Sequence, residues 1–393
     1  MSGPLLNKIK VLEMANVISG PYGGMLLADL GAEVIKVEMP GDGDYFRIWD
    51  GKGGEIRPSF AAYNRGKKSV TINVQTDSGR DLYLRLASTV DVVLENFRPG
   101  TLDRFGVGYD AVREKNPNVI YCSLTGMGST GPYKNRPTYD AIAQAMSGLW
   151  SQLTDMSRPE PVGPAICDQL SGIYAAYGIL GALVARLLGG SGQKLDVSML
   201  GAGLAFQSTS VAESLMLGVT ADKLSRAHRS QSYAFVAQDG LPFAVHLSTP
   251  QKFWKGLAEV AGQPSLVEDP RFKTKEDRVK NYDVLSEILT EIFKTRPRAE
   301  WLANLEKHDV PSGPIYNVTE ALNDPQVRHI GMADTFGQGA RALNLVGFPV
   351  TYHEIPCQPE LPVPNVGEHN ENIFGELGCS TADLARMKEE GAI

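Results

Sequence analysis

IKVLEMANVISGPYGGMLLADLGAEVIKVE, residues 9–38, places two short apolar runs, IKVLEM (9–14) and EVIKVE (33–38), on either side of a segment with helical spacing. Runs that are apolar on both faces read as strands of a parallel sheet, because crossover helices cover both of its sides. The intervening GGMLLADLGA (23–32) reads as such a crossover, so the stretch is a β-α-β unit. Glycines follow the first strand and Glu38 ends the second about 20 residues later, the outline of a dinucleotide-binding unit. Gly20, Gly23 and Gly24 do not make GxGxxG, however. The plainer expectation is a tight strand-to-helix turn that needs glycine for its backbone.

The same rhythm runs on through the first two hundred residues. SVTINV (69–74), VDVVLE (90–95), NVIYCS (118–123) and KLDVSM (194–199) read as further strands, with GRDLYLRLAST (79–89) and YDAVREKN (109–116) as helices between them. The fold class is therefore α/β, with an open parallel sheet. After Gly201 the pattern shifts: GLAFQSTSVAESLMLG (203–218) reads as a connecting helix, and RSQSYAFVAQDGLPFAVHL (229–247) as a hairpin around Asp239-Gly240. Helical segments follow at 250–262, 283–296 and 299–308, the mark of a separate, smaller α+β domain. Helical pattern returns at 370–378 and 381–391.

Composition narrows the class of function. A chain of 393 residues exceeds one usual core and suggests two domains. A net charge of -7 argues against a nucleic-acid-binding surface, while leaving room for local Arg and Lys clusters around anionic ligands. Cys122, Cys167, Cys357 and Cys379 form no CxxC pair and read as reduced thiols of a cytoplasmic protein. Lys8 and Lys10 interrupt the N-terminus before any signal-like run. The longest apolar run, Ile173 to Ala185, falls short of the roughly 20 residues that span a bilayer, so no membrane association is expected.

Several familiar sites are missing. GKK at 66–68 lacks the glycine spacing of a phosphate-binding loop, HEIPC at 353–357 lacks the second histidine of a zinc motif, and no GxSxG occurs. The six histidines are dispersed, so no metal is expected. Three stretches carry more. In GPAICDQLSGIYAAYGILGALVA (163–185), Asp168 stands at the mouth of a long apolar helix. Its plainer role is a helix cap. Its chemical role would be as a nucleophile, since a carboxylate beside the positive end of a helix is ionised at neutral pH and attacks without a general base. In ENFRPGTLDRFG (95–106), Asn96, Phe97 and Arg98 follow a strand end directly, with Arg104 close behind. Ligands bind beyond such strand ends, and guanidiniums suit phosphates, although solvated surface arginines look the same in sequence. In NRPTYDAIAQ (135–144), Tyr139 and Asp140 set a phenol beside a carboxylate at what is equally a helix start.

Taken in order, VISGPYGGMLLADLGAEVIKVE, NRGKKSVTINVQTDSGR, DVVLENFRPGTLDRFGVGYD, NPNVIYCSLTGMGSTGPY, RPTYDAIAQAMSGL, the Asp168 segment, DVPSGP (309–314) and NVGEHNENIFGELG (365–378) resemble the class III CoA-transferase family, the CaiB/BaiF group, along nearly the whole chain. The resemblance implies a Rossmann-like large domain built from both ends of the chain, a small domain inserted between, and an intertwined homodimer. On this pattern residues 1–203 begin the large domain, 204–225 are a linker helix, 226–325 the small α+β domain, and 326–393 lead back to the large domain. Asp168 falls where the family carries its catalytic aspartate, with Tyr139 and Asp140 at the active-site pair preceding it. The implied reaction moves CoA from an acyl-CoA to a carboxylic acid through aspartyl anhydrides and an aspartyl-CoA thioester. CoA is then part of the substrate, and no tightly bound cofactor is expected. Val17, Asn96, Phe97, Arg98 and Arg104 match CoA-binding positions, with Ile72, Asn73, Val74 and Gln75 beside the adenine. Two further positions of that set depart from the family: Met39 stands for a common arginine, and Ile18 for the glutamine of formyl-CoA:oxalate transferases, which speaks against oxalate or formyl-CoA. Racemases of the same fold carry a histidine near position 139, where a neutral tyrosine makes a poor base. A CoA-binding subunit without activity is the remaining alternative, and the retained aspartate argues against it. RAHRSQSY (226–233) is a candidate wall of the acid pocket, with His228 and Arg229 either meeting a second carboxylate or lying on the surface.

Overall fold

The computed structural model describes residues 4–49, 57–248, 250–355 and 361–393. The six segments marked as strands pair in one parallel sheet: β1 (Lys10–Met14), β2 (Glu33–Glu38), β3 (Lys67–Thr71), β4 (Val92–Glu95), β5 (Ile120–Thr125) and β6 (Lys194–Ser198). Their order is β3-β2-β1-β4-β5-β6. The chain moves outward from β1 to β3, then crosses back to the far side of β1 for β4. Loops leaving β1 and β4 therefore diverge, and a crevice opens beyond the carboxyl ends of these two strands.

Side chains alternate along each strand between two apolar clusters, one on each face. Leu12, Ile35, Val70, Val93 and Tyr121 pack with helices α3 (Asp77–Ala87) and α5 (Tyr109–Lys115) and with Phe374 and Met387 from the end of the chain. Val11, Val34, Val92, Leu94 and Ile120 pack with α1 (Ser19–Asp29) and α7 (Ile166–Leu187), joined by Ala143 of α6 (Asp140–Met146). Two short helices, α2 (Pro58–Asn64) and α4 (Thr101–Arg104), lie between these elements in sequence.

Three expectations need correction. The third strand runs from Lys67 to Thr71 rather than from Ser69 to Val74: its register pairs Lys67 with Val34 and Thr71 with Glu38, where β2 ends, and the buried Lys67 ammonium lies 2.7 Å from Glu13. A buried lysine is invisible to a search for apolar runs. The glycines after β1 serve close packing rather than a turn: all three lie inside α1, and none has a positive φ. A Cβ on Gly23 would come 3.1 Å from the carbonyl oxygen of Gly172 in α7, and one on Gly24 would overlap the Glu13 carboxylate. The turn itself falls to Val17, at φ 70°. Finally, α7 is longer than its apolar run. Its 22 residues are long and apolar enough to cross a membrane by length and composition alone. Here one face of it lies in the core through Cys167, Ala175, Ile179 and Leu183, and Arg186 in its last turn pairs with Asp91 at 2.6 Å.

The chain divides into two compact units. One comprises Met1–Trp150, Pro161–Val211 and His329–Ile393, and the other Ser151–Glu160 and Ala212–Arg328. The segment 151–160 thus groups with the second unit, where Asp155 pairs with Lys223 at 2.9 Å. The helix Ser208–Leu217, which runs across the division, buries none of its residues. In the second unit the hairpin forms between β7 (Ser232–Val236) and β8 (Pro242–His246), and β9 (Ser312–Pro314) joins it as a third antiparallel strand. Phe235, Phe243, Phe293 and Trp301 close its aromatic core.

Candidate active site

The crevice between β1 and β4 holds a cleft of about 180 Å³. Its floor is the loop Asn16–Ser19 that leaves β1, and its sides are Asn96–Pro99 after β4 and Leu124–Met127 at the end of β5. Lys134, Arg136, Thr138 and Tyr139 form the rim, and Asp168 reaches in from the first turn of α7. Asn96 stitches floor to side: its Oδ1 accepts from the Asn16 amide at 2.9 Å, and its Nδ2 donates to the Asn16 carbonyl at 2.8 Å and to Ser19 Oγ at 3.1 Å. Val17 sits between these bonds in a conformation that a β-branched residue avoids, at a cost of roughly 1–3 kcal/mol.

Asp168 does not cap its helix. The cap residue of α7 is Ala165, whose methyl group accepts no hydrogen bond, and the orphan amide of Asp168 itself donates to Asp140 Oδ1 at 3.1 Å. Asp140 thus supplies the capping carboxylate from the first turn of α6, held there by Gln144, which also bonds the Pro164 carbonyl at 3.1 Å. No hydrogen bond from the described residues reaches the Asp168 carboxylate.

Its charge state also differs from expectation. Burial first, and the neighbouring Asp140 charge second, push the Asp168 carboxyl up to about 7. Desolvation and like-charge repulsion outweigh the helix end, which the sequence alone had favoured. The adjacent Cys167 is fully buried, and burial pushes its thiol up to about 11, so the carboxylate has no competing nucleophile beside it. Tyr63 of α2 also lies within the field of Asp168: burial and then that charge raise its phenol above the ordinary range.

Of the residues marked in the sequence, Val17, Ile18, Asn96, Phe97, Arg98, Tyr139 and Asp168 line this one cleft, with Asp140 directly behind it. Tyr139 is 77% exposed, its side chain open to the cleft. Met39, Ile72, Asn73, Val74, Gln75 and Arg104 lie outside it. Ile72 and Val74 turn their side chains into the core, whereas Asn73 bonds the chain end through Gly391 and Ala392, and Gln75 is exposed. Met39 is exposed after β2, and Arg104 is exposed at the end of α4. The rim cations Lys134 and Arg136 escaped the sequence reading, although Arg136 stands inside the quoted NRPTYD stretch and Lys134 directly before it. A second cavity of about 340 Å³ shares Arg98, Pro99 and Lys134 with the cleft and adds Glu95, Ser123 and Lys194. Burial holds the Glu95 carboxyl at about 7, against a hydrogen bond from Ser123. Among the described residues, no group of three or more His, Cys, Asp or Glu stands close enough to hold a metal ion. In the second unit Arg229 pairs with Glu213, and His228 packs on Tyr282 at 4.3 Å, so both are already engaged. Cys122, Cys167 and Cys379 are free thiols, and Cys357 lies outside the described residues.

Residues 6–370 match the sequence profile of CoA-transferase family III. The chain belongs to that family. A succinate–glutarate CoA-transferase of Agrobacterium fabrum is 34% identical over 95% of this chain and 96% of its own length. An acetyl-CoA:oxalate CoA-transferase of Acetobacter aceti is 36% identical over 89% of this chain and 91% of its own. Among solved structures, a CaiB/BaiF family protein from Brucella suis superposes with a TM-score of 0.85 at 34% identity, covering 96% of this chain and 100% of that one.

Proposed function

We propose that this family member transfers CoA from an acyl-CoA donor to a carboxylic acid, with Asp168 as the nucleophile. An ionised Asp168 oxygen attacks the thioester carbonyl, the C–S bond breaks, and an aspartyl acyl anhydride and CoA thiolate result. The thiolate attacks the aspartyl carbonyl of that anhydride, freeing the donor acid and leaving CoA on Asp168 as a thioester. The acceptor carboxylate attacks this thioester and forms a second anhydride. The returning thiolate then takes the acceptor acyl group and restores Asp168. One thioester and one carboxylate enter and one of each leaves, so covalent catalysis divides a nearly balanced exchange into easier steps. In this scheme Tyr139, which lines the same cleft, donates to the tetrahedral oxyanions.

The observation that carries this reading is a carboxylate that no hydrogen bond from the described residues reaches, inside a cleft lined by Arg98, Lys134 and Arg136. Three cations suit CoA phosphates and acid substrates alike. Racemisation has less support, since no histidine is among the residues lining the cleft. Glutarate and oxalate, in the names of two relatives, are dicarboxylic acids, and we extend that class to the acceptor here. The expectation against oxalate drawn from Ile18 thus becomes one arm of the test. CoA running beyond the cleft meets the Arg98–Lys134 rim and the second cavity, with Met39, Arg104 and the backbone of Ile72 to Gln75 as the outer contacts. The working form is an interlocked homodimer in the cytoplasm: Leu215, Met216 and Leu187 are exposed by 83%, 79% and 80%, and exposed apolar area of this kind calls for a partner surface.

An acceptor labelled with oxygen-18 in its carboxylate tests the chemistry. Each cycle moves an acceptor oxygen into Asp168, so the peptide containing it gains mass over many turnovers. A peptide that never gains mass while CoA is exchanged removes Asp168 from the covalent pathway. A panel of acyl-CoA donors against mono- and dicarboxylic acids, read by mass spectrometry, tests the substrate class.

A further inference from the structure

Beneath the floor of the cleft lies a set of charges for which the reaction has no direct use. Glu13, Lys36, Asp44 and Lys67 are all fully buried. Lys36 Nζ lies 2.8 Å from Asp44 Oδ2 and 3.2 Å from Glu13 Oε1, and Lys67 Nζ lies 2.7 Å from Glu13 Oε2. Two cations and two anions balance. Stability alone is a poor reason to keep them, because well-packed apolar residues commonly serve as well as a buried ion pair.

The contacts that leave the set are more telling. Lys36 Nζ donates to the Ala15 carbonyl at 2.7 Å, and Asp44 Oδ1 accepts from the Val17 amide at 3.2 Å. With the two Asn96 bonds to Asn16, each residue from Ala15 to Val17 has its backbone tied. The last tie falls on Val17, the residue held at φ 70°, and Val17 and Ile18 face the same cleft as Asp168. A valine released from these ties returns to negative φ, whereas a glycine occupies either sign about as readily.

We propose that Lys36 and Asp44 are positioning residues: together they hold Val17 in its left-handed turn and so fix the floor on which the acyl thioester lies in front of Asp168. This rests on the acyl-CoA reading given above. The test is the charge-balanced pair Lys36→Met/Asp44→Ala, which leaves Glu13 and Lys67 as a neutral couple, made in the native and in the Val17→Gly backgrounds. In the native background kcat/KM for the acyl-CoA donor falls by about ten- to a hundredfold, the scale of a small misplacement at a reacting centre. In the Val17→Gly background the same pair of changes costs no more than about threefold, a coupling that a double-mutant cycle reads directly. Equal losses in both backgrounds, or no loss in either, would overturn the proposal. Crystal structures of the variants supply a readout independent of the reaction: Val17 leaves φ 70° in the native background, and residue 17 keeps it when it is glycine. A valine still at φ 70° without Lys36 and Asp44 also ends the proposal, whereas failure of the acyl-CoA reading leaves this structural result untouched.

Discussion

A carboxyl that works as a nucleophile must lose its proton, and the surroundings of Asp168 make that loss difficult. Burial and Asp140 raise it to about 7, so the reactive form is half populated near neutrality and grows above it. The kcat/KM for acyl-CoA should accordingly rise through about pH 7. Asp140→Asn keeps an oxygen for the Asp168 amide but removes the charge, so the acid limb of kcat/KM should move to lower pH. An unmoved limb would show that Asp140 does not hold the proton on Asp168. Stability follows the same shift. Below about pH 4 both the folded and unfolded side chains are protonated and nothing is lost. Between about 4 and 7 the unfolded chain ionises first, the folded state binds more protons, and stability falls as pH rises. Above 7 the penalty is complete, at most about 4 kcal/mol and less where solvent reaches the group. Asp168→Asn should therefore abolish transfer yet raise Tm at pH 8, with little gain at pH 4. A Tm gain that is the same at both pH values would count against the raised carboxyl.

Among the elements, α1 and α7 decide where Asp168 stands, and they meet through glycine. A Cβ on Gly172 would lie 2.7 Å from the Ser19 carbonyl oxygen, a backbone atom unable to swing aside. Gly172→Ala should cost about 2–3 kcal/mol in chemical denaturation, as overpacking in a tight core does. Because the displaced helix carries the nucleophile, kcat should fall with it. A stability loss without a kcat loss would mean that α7 tolerates displacement at its first turn. Much of this was legible beforehand. The alternating β-branched runs located all six strands, since apolar periodicity is written in consecutive residues. What escaped depends on residues distant in sequence: the buried Lys67 that shifts β3, the close approach that fills α1 with glycine, and Val17 as the true turn. The cleft was readable in the same measure. Asp168, Tyr139, Asn96 and Arg98 stand in quotable motifs, whereas the Asp140 carboxylate that accepts from the Asp168 amide, and whose charge raises the Asp168 carboxyl, acts only once two helices are brought together.

For the molecule as a whole, the exposed apolar residues carry the case for the proposed dimer. Leu187 and Leu188 end α7 at 80% and 84% exposure, and the helix Ser208–Leu217 buries nothing. Isolated exposed leucines are ordinary, but an apolar helix without any buried residue lacks the packing that stabilises most helices in water. The interlocked dimer proposed above would supply that packing from a second copy. Light scattering on the purified chain should then give about 85 kDa, twice the 42.6 kDa of one chain. The interface would be obligate, so its members have little stable monomer to fall back on. Leu215→Glu with Met216→Glu should therefore lower the yield of folded protein and the Tm together rather than release an active monomer. An active, stable 42.6 kDa species, from either the native chain or this variant, would place the whole reaction within one chain and leave the bare helix to another partner.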